Sequence, residues 1–520
     1  MFRIARWLVM AALLVLAAPL HASTLIVPDQ RPTIQTALDD LPDTVLVRSG
    51  VAPEVPTIGF TVLRSHPDNV TAPILSGLLI SLPEADESMS IEGFHIAGHA
   101  RIQNGDESFG TVIFRDCVLD SGLTHQVWML ELVLDGCVVH GDVQARPGRF
   151  ELRSSWFGGS VEFGASLQVP NSVVIDNVFA AQGGTQSIQF DEFREIEFRS
   201  NTVSGYEVGL RTEDDLVLVD NEMVDCPLVA LSAGTAEICQ NRLLRSRLIA
   251  YPGHLVLLDN RVTHSPAQGI VVEVDDDAAI RGNVVGHCVG AGIEVRLSNS
   301  SNHLRLTNNT SHLNHGPGFL VTGPDAVAPD STLTHNIAFG NDGFGLDATV
   351  LPDATLACND WFGNGLGATS GVAPGASDLA VDPRFCNAGA DSVGLAADSP
   401  LANAASCGLI GALGVECESG TADVAAERPA AFALRAIAPN PARAGATIGF
   451  AVPRSSVVSI RVLDVQGREI ALLANGVFTP GVHQLRWDGR SNGASALPGV
   501  YFVRMRHPEG EESRMLVVSW

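Results

Sequence analysis

The chain has 520 residues, long enough for more than one domain. Its net charge is −26, and all 32 of its basic residues are arginine. So acidic a surface repels nucleic acid and anionic membranes, which excludes both as electrostatic partners. It also disfavours a polyanionic ligand unless bound cations mediate.

The first 22 residues carry Arg3 and Arg6, an apolar run from Leu8 to Ala18, and Leu20-His21-Ala22. That is the pattern of a secretory signal peptide, residues 1–22, cut after Ala22. The run is too short to span a bilayer comfortably, and no other stretch is long and apolar enough to do so. The mature chain is expected to be secreted, or displayed on the outer surface of a bacterium. There its nine cysteines are free to form disulfides, and the odd number leaves at least one thiol out.

Residues 23–417 form the first domain. Ile34, Ala37, Leu38 and Leu41 have helical spacing behind Pro32, which predicts a short capping helix. Thr44-Val45-Leu46-Val47 then opens the first strand. From Phe94 to Asn359 one phrase recurs thirteen times, with a mean spacing of about 22 residues. Its corner residues begin with Phe94, Cys117, Cys137 and Ser155 and continue as nine asparagines, Asn177 to Asn359. An apolar residue stands three positions before each corner, from Ile91 to Leu356, and another two positions after it, from Ile96 to Trp361; Ser311 alone breaks the second column. A third apolar position follows a glycine in Gly209-Leu210, Gly269-Ile270, Gly292-Ile293 and Gly318-Phe319. Three short strands per turn make an all-β chain, a parallel β-helix of about 13 coils, in which each coil buries its apolar side by stacking. A leucine-rich horseshoe shares the length but would need a helical half-repeat. Asparagine tolerates the left-handed backbone of a tight bend, and amides stacked one rung apart bond into a ladder. Cys117 and Cys137 share the corner column and either bridge or stack. Cys358, Cys386, Cys407 and Cys417 cluster at the end of the coils and are expected to staple them.

The opening stretch TLIVPDQRPTIQTALDDLPDTVLVRSG resembles the start of pectin-lyase-like right-handed β-helix proteins, in which an amphipathic helix seals the rod and a strand ending in glycine, here Gly50, starts the first coil. The closing stretch, from Asp382-Pro383-Arg384-Phe385-Cys386 to Gly411-Ala412, is similar to the terminal coil of exported bacterial members of that group. The resemblance implies a surface on which glycans bind or are cleaved.

Residues 418–433 read as a polar, alanine-rich linker. From 434 to 520 the pattern becomes short strands with dense turns, a small antiparallel β-sandwich of immunoglobulin size. Pro439-Asn440-Pro441, Ile448-Gly449-Phe450, the run from Leu463 to Arg468, GVHQLRWDG (481–489) and the run from Gly499 to Arg504 resemble the immunoglobulin-like domain of the flagellar hook-cap family and the type IX secretion sorting domain. That resemblance implies passage through an outer-membrane secretion machinery by way of 434–520. A plain structural appendage is the alternative, since the chain ends Val517-Val518-Ser519-Trp520 where many sorting tails carry a basic residue.

Three groups of residues have the types that chemistry needs. Glu273 and Arg296 each lie four residues after the glycine of a third strand and should stack side by side; an arginine beside carboxylates suits β-elimination from an acidic sugar, and a cross-strand ion pair explains the two equally well. Polar residues six positions before each corner, Asp215 and Asp277 among them with Asp275 adjacent, could gather oxygens for calcium, though turn chemistry accounts for them too. No other cofactor is required. His264, His287 and His312 recur near the second bend of three consecutive coils, a zinc or copper pattern whose third member is offset by one residue; a polar turn column reads the same. Polygalacturonase, nucleophile-elbow and phosphate-loop motifs are absent. The expected function is binding of a glycan or other surface polymer, with a polysaccharide lyase or other carbohydrate-active enzyme, or a structural adhesin-like spacer, as alternatives.

Overall fold

The computed structural model describes residues 23–518 apart from 60, 83–87, 105–109, 126–128, 165–169, 299–302, 324–330, 349, 352, 419–431, 441, 443–444, 454–455, 465, 479–480, 492–493 and 497–498. The expected signal segment, most of the expected linker, and Asp330 of the polar column lie outside the described residues. The chain divides into two compact units, 1–418 and 419–520.

The first unit is a right-handed β-solenoid of about 16 turns. It is longer than the thirteen corners suggest because coiling starts earlier: Thr24–Val27 pairs in parallel with Thr44–Val47, and that strand with Val62–Ser65. The first strand is therefore 24–27, not 44–47. At about 4.8 Å per rung, sixteen turns make a rod roughly 70–75 Å long. One face stacks the strands that precede the corners. A second face is a 13-stranded parallel sheet of two- and three-residue strands that follow them. A third face stacks the strands that follow the second bend. In the middle coils the third strand runs straight into the first strand of the next coil, as in Gln186–Arg199 and Tyr206–Val219. The helix spans Ile34–Leu38, with Thr33 and Thr36 closing a capping box. Ile34, Ala37 and Leu38 are buried, but Leu41 turns left-handed at φ 53° and is exposed. The chain leaves the helix one turn before the spacing suggests.

Both apolar columns point inward, as period-2 alternation requires; Ile91, Phe114, Leu134, Ile96 and Leu119 are wholly buried. Ser311 fits among them because its hydroxyl donates to the Gly318 carbonyl at 2.8 Å and accepts from Asn314 Nδ2 at 3.0 Å. The corner asparagines form one file. Asn221, Asn241 and Asn260 are linked Nδ2 to Oδ1 at 2.8 and 2.9 Å, and each Oδ1 also accepts the main-chain N–H of the rung before. The left-handed residue is not the asparagine but the one before it: Asp176, Ser200, Asp220, Gln240 and Asp259 have φ between 55° and 58°. From Cys117 onward each corner side chain donates back to a carbonyl one rung away. Cys117 does so to Ile91 at 3.4 Å, Cys137 to Phe114 at 3.5 Å and Asn177 to Leu152 at 2.8 Å. Cys117 and Cys137 thus stack as free thiols, and burial pushes the Cys117 thiol up to about 12. The expected staple is present as Cys358–Cys407 and Cys386–Cys417. Cys226, Cys239 and Cys288 are also free and buried.

The second unit has a three-stranded antiparallel sheet (Ala433–Ala438, Ala446–Val452, Gly481–Trp487) and a four-stranded one (Glu469–Phe478, Ser456–Asp464, Gly499–His507, Gly510–Val518). Both sheets contribute to one core, which includes Ile448, Phe450, Ile460, Val462, Trp487 and Val503.

Candidate functional site

The third face carries a polar file that runs along the solenoid. Its strands alternate, so every second residue leaves the core. One outward file runs Gly164, Asp191, Arg211, Ser232, Tyr251, Glu273, Arg296, Thr322. Gly164 pairs with Asp191, Ser232 with Arg211 and with Tyr251, and Arg296 with Glu273 and with Thr322. Tyr251 and Glu273 meet one position beyond the Ala250–Val272 pair. From Asp191 to Thr322 the file covers seven rungs, roughly 29 Å. Tyr251 is 44% exposed; among the described residues the other exposed large aromatic is Phe502, in the second unit.

The expected side-by-side placement of Glu273 and Arg296 is present. The guanidinium takes its ion-pair partner on its own strand rather than across to Glu273: Glu294 Oε1 lies 2.7 Å from Nε, and that carboxylate is buried. The hydrogen bond to Glu294 raises the Arg296 pKa further above its ordinary value. At the start of the file Arg211 Nη1 lies 3.4 Å from Asp191 Oδ1.

Beside Asp191 the face opens into a concavity of about 720 Å³, lined by His125, Gln144, Ala145, Arg146, Glu162, Phe163, Gly164, Gln189 and Asp191. Gln144, Glu162 and Gln189 are register partners on successive rungs and point outward. Glu162 accepts from Ser187 Oγ at 2.6 Å and from Gln144 Nε2 at 3.4 Å. The Gln189 amide lies over Gly209, where a Cβ would stand 2.1 Å from its Oε1, so this glycine makes the room. His125 occupies the inward column beside the small Ala145. It is 4% exposed and neither ring nitrogen has a hydrogen-bond partner. Burial lowers its pKa to about 4, so the ring is neutral at pH 7 and offers one donor and one acceptor. Carboxylates, carboxamides and a guanidinium on one concave wall are equipped to bond hydroxyl groups.

The polar column before the corners is also in register: Glu195, Asp215, Thr235 and His254 are successive partners. Asp277 lies three rungs beyond Asp215, roughly 14 Å away, so the two do not converge on one ion. Asp277 is 3.0 Å from His303 Nδ1 instead, and Asp276 is 3.5 Å from His254 Nε2. Asp275 accompanies them at the edge of that turn. His264 and His287 share the second bend, at φ 58° and 54°, but the next residue in that file is Leu313, at φ 51°; His312 ends the preceding strand. His125, Glu162 and Asp391 (described below) were not singled out from the sequence. Strand alternation alone would have placed His125 in the core column.

Residues 247–360 match the family model for the right handed beta helix region. The A-module of mannuronan C-5 epimerase AlgE6 from Azotobacter vinelandii is similar at 14% identity, over 67% of this chain and 93% of that one, with a TM-score of 0.26. No curated protein matches. The matched stretch takes in Glu273, Arg296 and the three histidines. Among the described residues, no helix is long and apolar enough to cross a membrane.

Proposed function

We propose that this β-helix chain is an exported protein that binds a polysaccharide along its third face, with the 434–520 region serving secretion or attachment at the outer cell surface. The observation that carries the reading is the outward file from Asp191 to Thr322, with one hydrogen-bonding side chain on each of seven rungs. Hydrogen-bonding groups repeated rung by rung match a polymer that repeats its own hydroxyl pattern, and Tyr251 supplies one ring face midway. A structural spacer has no need of such a file. The acidic surface makes a neutral polymer the favoured ligand, or an acidic one bridged by calcium. A second reading, a polysaccharide lyase or other carbohydrate-active enzyme, is favoured by the neutral imidazole of His125 beside Arg146 and two carboxylates, with Arg296 and Glu273 further along the face.

The test is incubation of residues 23–520 with a panel of neutral and acidic glycans, with and without calcium. Retention of a glycan without turnover is expected, weakened about tenfold or more by Tyr251→Ala or Arg296→Ala, the scale set by loss of one buried aromatic or arginine anchor. Absorbance from an unsaturated product would transfer the reading to the lyase. No retention across the panel, or retention unchanged in both variants, would overturn it.

A further inference from the structure

The second bend meets a segment that returns from the end of the solenoid. Thr263, Gly286 and His312 are successive register partners. The His312 ring therefore stands over Gly286, where a Cβ would lie 2.1 Å from Nε2; only glycine leaves that space. The His264 and His287 rings stack at 4.8 Å, and His287 meets His312 edge-on at 5.3 Å. Above them the 388–390 turn ends in Asp391, itself left-handed at φ 58°. Arg261 Nη2 donates to the Asp391 main-chain carbonyl. His264 Nε2 lies 2.9 Å from Oδ2 of that carboxylate. The other oxygen, Oδ1, has no hydrogen-bond partner and is 3.6 Å from His287 Nε2 and 4.0 Å from His312 Nε2. His312 is wholly buried, and neither of its nitrogens has a partner. His287 Nε2 is also 3.2 Å from the Ala388 carbonyl.

We propose that His287, His312 and Asp391 hold one divalent transition-metal ion, zinc in the first instance, which clips the returning segment onto the second bend. The donor atoms all lie within 4.8 Å of one another. Around tetrahedral zinc, with bonds of about 2.0–2.1 Å, donors stand roughly 3.3–3.4 Å apart, so side-chain closure of about an ångström or less suffices for the pairs to Asp391. Two imidazoles and one carboxylate are the ligand set of a borderline ion; calcium would ask for six or more oxygens. Three protein ligands leave the fourth position to water. His264 orients the carboxylate from behind, as outer partners of metal ligands do. An ion here would take up two orphaned atoms at once, Asp391 Oδ1 and one ring nitrogen of His312, and orphaned buried polar atoms are what a packed interior avoids.

The test uses residues 23–520 with disulfides formed, stripped with a chelator and titrated with zinc sulfate. One ion per chain is expected by calorimetry and elemental analysis, with a rise in Tm. Asp391→Asn and His312→Gln should each abolish that stoichiometric binding, and His264→Ala should weaken it about 10- to 100-fold. Asp391→Asn is isosteric and sits on the outer segment, so it keeps the test decisive if His312→Gln fails to fold. Absence of zinc in the wild type at equimolar concentration overturns the proposal. Zinc retained equally by a folded Asp391→Asn does so too, because that ion would sit on exposed histidines elsewhere.

Discussion

Asp360 is a carboxylate held where water does not reach it. It follows the last corner asparagine and is wholly buried; its Oδ1 accepts the Val381 N–H at 2.9 Å and its Oδ2 has no partner. Burial raises its pKa to about 7, Asp382 and Asp378 push the same way, and the Val381 bond opposes them. A pKa raised above the unfolded value of 3.8 means that the protonated form is the one the fold prefers. Its stabilising contribution is complete below about pH 4 and is lost as pH rises to about 7, a change on the order of 2–4 kcal/mol. Between pH 4 and pH 7 the Tm of the wild type should therefore fall relative to Asp360→Asn. Parallel pH profiles for the two proteins would refute this. At the same scale, Ser311 shows how one polar residue enters an apolar column: both its lone pair and its proton are occupied inside the rod.

The asparagine file is the element in which such satisfaction is repeated. Asn241 Oδ1 accepts from Asn221 N at 3.0 Å and from Asn221 Nδ2 at 2.8 Å, and its Nδ2 donates to the Leu218 carbonyl at 2.7 Å and to Asn260 at 2.9 Å. Asn241→Ala strands a main-chain N–H in a dry interior. Chemical denaturation should show a loss of about 2–4 kcal/mol, since each buried orphan costs about 1–3 kcal/mol. A loss below about 0.5 kcal/mol would mean that water replaces the amide. This file was legible in the sequence because its residue type and its period agree over nine rungs. Its backbone was not. Asparagine's tolerance of left-handed φ pointed to the corner itself, whereas the bend falls on the residue before it, which varies from Asp to Ser to Gln and leaves no signature. A second ladder, Asn314–Asn341–Asn364, bonded Nδ2 to Oδ1 at 2.9 Å, went unseen because only three rungs carry asparagine; Cys288 and Ser246 hold the same bend further up. The third-face file was half legible. Glu273 and Arg296 were found by counting from their glycines, but Asp191 and Arg211 are separated by a bulge that shifts the count. Asp391 had no sequence signal, because a ligand 79 positions after His312 joins it only through the returning segment.

At the scale of the molecule, two cores share no residue: one runs from Val27 to Trp361, the other from Phe432 to Val518. A third, small cluster joins Ile337 and Cys358 of the last coils to Leu395, Leu401 and Ile410 of the returning segment. Both disulfides lie before residue 418, and each ties that segment to the coils or to itself. Among the described residues, both disulfides and this cluster belong to the first unit. A chain ending at 418 should keep both disulfides and unfold within about 2 °C of the matching transition in the full protein, a shift equivalent to no more than about 1 kcal/mol in a domain of this size. A chain ending at 380 removes the partners of Ile337 and Cys358, exposes the last coil, and should unfold well below it, because a solenoid whose terminal rung loses its cover presents bare apolar edge to water. Calorimetry on the two truncations decides the point. Equal transitions in both would show that the returning segment adds nothing to the rod, and a collapse of the first would show that the 419–520 unit supplies part of its stability.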